Sequence, residues 1–171
     1  MRKSLLTLAF VLAAALVPQL VLADVWTTQY KDIERQIVAP TFADQAFPIT
    51  KYGAKTTNTA AKNQKAINKA IATCSKKGGG RVVVPAGVWD TGAITLLSNV
   101  NLVVEEGATL HFVFDRDLYP NVLTRWEGLH CWNYQPCIYA YGEKNVAITG
   151  QGTIDGGATE ETWWLMSGKK H

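Results

Sequence analysis

At 171 residues, with 47% apolar and 18% charged side chains, the chain is long enough to bury one core and too apolar for an extended, unstructured segment. Its formal charge of +3 rests on scattered lysines, which excludes the continuous basic stripe of a nucleic-acid binder and tolerates an acidic polysaccharide.

Met1-Arg2-Lys3 followed by the almost wholly apolar Ser4 to Leu22 is a secretory signal pattern. Val21-Leu22-Ala23 puts small or short residues where a signal peptidase reads, so residues 1–23 are expected to be removed, leaving Asp24 as the new terminus. Pro18 and the alanine-rich stretch argue against a retained membrane span, and no cysteine follows for a lipid anchor. The expected location is secreted or periplasmic. Residues 24–46 lack a clean period and contain Pro40, so they predict a surface leader ahead of a domain over 47–171.

Phe47 to Ala54 alternates apolar and polar residues up to Gly53 and predicts a short first strand. The period then changes. Ala66, Ile67, Ala70, Ile71 and Cys74 share one face of a helix over 59–77, with Asn58 or Thr59 suited to cap its start by a side chain and Gly78 to end it in a left-handed conformation. The Gly78-Gly79-Gly80 run follows its helix and lacks a succeeding Lys-Ser/Thr, so it is not a phosphate loop.

Beyond Arg81 come short β-branched runs: 82–84, 93–96, 100–104, 108–112, 138–141, 146–149 and 152–155. Two of these stretches repeat. Asn99-Val100-Asn101-Leu102 with Gly107-Ala108-Thr109-Leu110 matches Asn145-Val146-Ala147-Ile148 with Gly152-Thr153-Ile154, at offsets of 46 and 44. Residues 113–137 show no strand alternation and predict a 25-residue excursion; setting it aside leaves 21 residues per repeat. That length suits a coil of three short strands, so the expected fold is all-β, a right-handed parallel β-helix with one amino-terminal helix capping its first coil. An antiparallel sandwich is the rival, and it would need two-residue hairpins at Asn-Gly or Asp-Gly, of which only Asp155-Gly156 is present near the end.

Three cysteines remain after processing, an odd number that cannot close a disulfide framework. Cys74 is expected to be a buried small hydrophobe, and a Cys131–Cys137 bridge stays open. His130, Cys131 and Cys137 have no fourth ligand at suitable spacing, so no metal is expected.

The order of features resembles glycoside hydrolase family 28, the polygalacturonases. The likeness runs over about 47–164, through Tyr52-Gly53-Ala54, Gly78-Gly79-Gly80-Arg81-Val82-Val83-Val84-Pro85-Ala86-Gly87, Glu106-Gly107-Ala108-Thr109-Leu110, Arg125-Trp126-Glu127-Gly128 and Gly150-Gln151-Gly152-Thr153-Ile154-Asp155-Gly156 with Trp163-Trp164. It implies a pectate-lyase-like solenoid and inverting hydrolysis of galacturonan, with no metal or organic cofactor. It also implies catalytic segments (Asn-Thr-Asp, Asp-Asp, Gly-His-Gly, Arg-Ile-Lys) downstream of the Gly-Thr-Ile-Asp-Gly stretch, and this sequence has none of the four. The expectation is therefore an amino-terminal fragment, inactive alone and monomeric if complete, with no assignable catalytic residue.

Other carboxylates have ordinary explanations: Glu105-Glu106 fits a solvated turn, Glu160-Glu161 a polar segment, and Asp155 turn chemistry before Gly156. The candidate substrate-binding residues are Arg125, Trp126, Glu127 and His130. Trp126, like Trp132 and Tyr134, has the flat face that stacks on a sugar, Arg125 and His130 suit uronate carboxylates, and Glu127 suits a hydroxyl. The competing role for these aromatics is to pack the excursion onto the coil. A non-catalytic polysaccharide-binding module is the alternative function; a lyase would call for calcium held by clustered acids, which the sequence lacks.

Overall fold

The computed structural model describes residues 29–166; the expected signal peptide lies outside them. The chain divides into two units, one ending at Ala39 and one beginning at Pro40. In the first, Tyr30–Gln36 forms a short helix, α1, with none of its residues buried, where the sequence suggested only an irregular leader. An Arg35–Asp32 contact of 3.0 Å one turn apart supports it. Among the described residues, no helix is long and apolar enough to cross a membrane.

The second unit is mostly strand with one long helix. Its elements run β1 (Ala46–Pro48), a 3₁₀ turn (Ile49–Tyr52), α2 (Ala60–Lys76), β2 (Gly80–Val84), β3 (Gly87–Thr91), β4 (Ile94–Thr95), β5 (Val100–Val104) and β6 (Ala108–Phe112). After these come β7 (Asn121–Trp126), β8 (Leu129–Tyr134), β9 (Ile138–Tyr139), β10 (Ala147–Gly150) and β11 (Thr153–Asp155). Three ladders are parallel: β1-β2-β5-β10, β3-β6-β11 and β4-β9. From β2 onward the chain visits these ladders in a fixed order, then repeats the order. Val82 pairs with Leu102 and Trp89 with Leu110, offsets of 20 and 21 residues, close to the 21 expected. Leu102 pairs with Ile148 and Leu110 with Ile154, reproducing the offsets of 46 and 44 in the internal repeat.

Alternation decides which side chains enter the core. In β5 and β6 every second residue is buried, so Val100, Leu102, Val104, Ala108, Leu110 and Phe112 point inward. In-register pairing stacks these residues in columns, such as Phe47, Val82 and Leu102, each buried. Every fully buried Val, Leu, Ile or Phe contributes roughly 1.5–3 kcal/mol. Ile148 and Ile154, the last members of these columns among the described residues, are each 45% exposed.

The expected amphipathic helix is α2, and its inward face (Ala66, Ile67, Ala70, Ile71, Cys74) belongs to the same core. Its polar flank does something the sequence did not reveal. Gln64 Nε2 donates to the carbonyls of Ala93 (2.9 Å) and Leu118 (2.7 Å), Asn63 Nδ2 donates to Asp90 O (3.0 Å), and Asn68 Oδ1 accepts from Thr95 N (2.9 Å). These side chains satisfy backbone groups beside β3 and β4 that no neighbouring strand reaches.

Several local expectations are corrected. The first strand is only three residues long, because the chain turns into the 3₁₀ segment straight after Pro48. No side chain caps α2: the Thr59 carbonyl accepts from Lys62 and Asn63, while Asn58 Nδ2 turns to Gly53 O (2.9 Å) and Asn63 Oδ1 (3.2 Å). Its end is as expected, with Gly78 at φ 92° and Gly79 N donating back to Cys74 O (2.9 Å). Strand β3 was not anticipated, since its inward residues are Trp89 and Thr91 and its Val88 faces solvent. The excursion, 113–137, is not strandless but carries an antiparallel hairpin of β7 and β8.

Candidate functional site

The hairpin owes its shape to Glu127-Gly128. Both residues have positive φ, 46° and 89°, the signature of a two-residue type I′ turn whose twist matches antiparallel strands. Glycine meets this at no steric cost, and Glu127 meets it under strain. Glu127-Gly128 lacks the Asn-Gly or Asp-Gly signature by which a sequence announces such a turn. The turn sets the register: Arg125 faces His130 across the ladder, and Trp126 faces Leu129 one position along. Strand alternation puts Arg125 and His130 on one face, with Trp132 and Tyr134, and Trp126 on the other.

A cleft of about 340 Å³ runs along the hairpin beside β9, bordered by Thr124, Arg125, His130, Ile138, Tyr139 and Tyr141. Tyr139 is fixed by its hydroxyl, which donates to Leu123 O at 2.8 Å. Tyr141 lies nearly parallel to it, with ring centroids 6.3 Å apart and an interplanar angle of 11°. Arg125 Nε donates to Gly128 O at 3.2 Å, which orients the guanidinium, and its terminal nitrogens have no partner among the described residues. Of the four sequence-predicted residues, the structure thus brings Arg125 and His130 to one cleft. Trp126, 65% exposed, and Glu127 stand at the hairpin tip. Tyr139 and Tyr141 were missed; their only signal is two tyrosines at strand spacing just after the excursion.

A second hollow, about 220 Å³, lies below the other end of the hairpin and is lined by Tyr119, Tyr134, Gln135, Pro136, Cys137 and Trp163. It is a packing region. Trp163 meets Phe114 and Tyr119 edge-on at 4.8 and 5.0 Å, and Tyr119 donates its hydroxyl to Val113 O at 2.9 Å. Burial raises the Tyr119 phenol well above its ordinary range, reinforced by Cys137, and burial likewise raises the Cys137 thiol. Cys74, Cys131 and Cys137 are free thiols.

The remaining carboxylates sit apart from both hollows. Asp155 accepts from Gly157 N at 2.9 Å, the turn role expected of it. Asp90 meets His111 Nδ1 at 2.8 Å across the β3–β6 ladder. Among the described residues, no three His, Cys, Asp or Glu side chains converge to hold a metal.

No family model matches the chain. Individual proteins do. It is 33% identical over 137 residues to an exo-poly-α-D-galacturonosidase of Dickeya chrysanthemi, an alignment that covers 75% of this chain and 22% of that protein. The crystal structure of a hyperthermoactive exopolygalacturonase from Thermotoga maritima superposes with a TM-score of 0.75 at 39% identity, covering 81% of this chain and 31% of that one. The chain is related to the family 28 polygalacturonases. A family 28 exopolygalacturonase from Yersinia enterocolitica is similar at a TM-score of 0.58 and 31% identity, covering 67% of this chain and 21% of that one. The chain therefore spans about a fifth to a third of the polygalacturonases it matches.

Proposed function

We propose that this chain forms the first coils of a right-handed parallel β-helix of polygalacturonase type, exported by its amino-terminal signal, and that it takes part in the glycosidic breakdown of galacturonan. The observation that carries the reading is the joint likeness of sequence and fold to an exopolygalacturonase, at 39% identity and a TM-score of 0.75. The 20- and 21-residue ladder offsets and the repeated visiting order support a solenoid, in which each coil is covered only by its neighbours.

In this reading the 171 residues supply scaffold and glycan contacts, and the inverting acid and base chemistry comes from carboxylate segments that this sequence does not contain. Arg125 and His130 meet the uronate chain at the cleft, and Trp126 and Glu127 extend the contact along the hairpin tip. The purified chain is expected to be retarded in a polygalacturonate gel yet to release no reducing ends from the polymer. Measurable hydrolysis by this chain would overturn the proposed division of labour; absence of retardation would overturn the substrate.

A non-catalytic polysaccharide-binding module is the second reading, favoured by the solvent-facing Trp126 and Trp132. The coding sequence after the His171 codon separates the two. A continuation carrying Asn-Thr-Asp and Asp-Asp segments selects the hydrolase; its absence selects the module.

A further inference from the structure

We infer that the cleft between the hairpin and β9 is a subsite for a single uronate unit, in which Arg125 and His130 engage the carboxylate and Tyr139 and Tyr141 form the platform for the sugar ring. The inference rests on the galacturonan reading above and assigns it a place and a residue set.

Charge is the first argument. The lining holds two basic side chains and no Asp or Glu, so the cleft favours an anion, and the nearest acid along the chain, Glu127, lies in the turn outside it. The guanidinium geometry is the second. With Nε held by Gly128 O, the two terminal nitrogens of Arg125 are left as a fork for the two oxygens of a carboxylate. The third is the platform: the hydroxyl bond to Leu123 O fixes Tyr139 before any ligand arrives, while Tyr141, 54% exposed, offers ring area next to it. Last is size. At about 340 Å³ the cleft is at the lower end of small-ligand sites, which span roughly 300–1,000 Å³. It suits one ring with its carboxylate, not a long stretch of polymer.

The test is calorimetric titration of the 171-residue chain with digalacturonate and with neutral galactobiose, alongside gel retardation by polygalacturonate. The wild type is expected to prefer the acid. Arg125→Ala is expected to weaken digalacturonate about tenfold and to abolish the preference, the loss of one charge-assisted contact. Arg125→Lys keeps part of the preference, because an ammonium supplies the charge without the fork. Tyr141→Ala is expected to weaken both sugars alike. Val88→Thr, on the distant exposed face of β3, serves as control, and only variants melting with the wild type are compared. If Arg125→Ala and Tyr141→Ala bind as the wild type does while the polymer still retards the chain, the subsite is wrong and the galacturonan reading stands. If the wild type is neither retarded nor titrated, both fall.

Discussion

Asn145 donates its side-chain amide to Asn99 Oδ1 at 3.1 Å, and both residues hold left-handed backbone, at φ 54° and 65°. Asparagine is among the few side chains that tolerate this region, and here the conformation turns the chain into β5 and towards β10. The Asn99 carbonyl also accepts from Gly80 N (3.0 Å), so one residue joins three successive turns of the chain. Asn99→Ala is expected to cost about 2 kcal/mol, combining a lost hydrogen bond with left-handed strain, and Asn99→Gly about half of that. Urea unfolding of the three proteins checks the order.

Gln64 predicts a helix-docking defect. Its Nε2 serves two carbonyls, Ala93 and Leu118, whose other donors, Asn68 Nδ2 at 3.3 Å and Ala93 N at 3.2 Å, are both more distant. Gln64→Ala is expected to destabilise by roughly 1–3 kcal/mol. Gln64→Glu should be worse than Gln64→Ala, since it brings a third acceptor to two acceptors. Thermal melting of both variants tests this.

The turn residue Glu127 lets stability and the proposed binding be read on one variant. Glu127→Asn would give the type I′ turn a residue suited to positive φ and is expected to stabilise the hairpin by about 0.5–1 kcal/mol. If Glu127 meets a hydroxyl of the polysaccharide, the same variant loses retardation in a polygalacturonate gel. A melting curve and a retardation assay on one protein read both effects.

Burial pushes the Cys74 thiol up to about 11 from an ordinary 9.0. The folded state thus holds its proton more tightly than the unfolded chain does. This contribution is complete below pH 9 and is lost as the pH rises towards 11, because only the unfolded chain ionises over that window. Unfolding midpoints of wild type and Cys74→Ala should accordingly converge as the pH is raised through this range. A thiol reagent at neutral pH is expected to label Cys131 before Cys74, which reacts only on unfolding.

The repeating part of the fold was legible because its signal is periodic: inward aliphatics at every second residue and a glycine-bounded unit recurring at 46 and 44 residues are both visible in one dimension. The helix was equally plain. What escaped depended on partners distant in sequence. Nothing local says that Gln64 reaches the Leu118 carbonyl, 54 positions away, or that Asn58 spends its side chain on Gly53 instead of on the helix start. Strand β3 carries no aliphatic alternation, because its core-facing residues are Trp89 and Thr91. Of the site, the basic and aromatic character of the excursion was readable, but not the pairing of Arg125 with His130, which the Glu127-Gly128 turn imposes.

The hairpin enters between β6 and β9 and leaves every ladder undisturbed: Ile138 still meets Ile94, and Ile148 still meets Leu102. Its two flanks are bound to the frame, Leu118 O by Gln64 and Ala93 N, and Gln135 Nε2 by Thr95 Oγ1, so the exchangeable part is the hairpin alone, Asn121 to Tyr134. That hairpin can be lengthened, reshaped or recharged without asking the frame to fold anew.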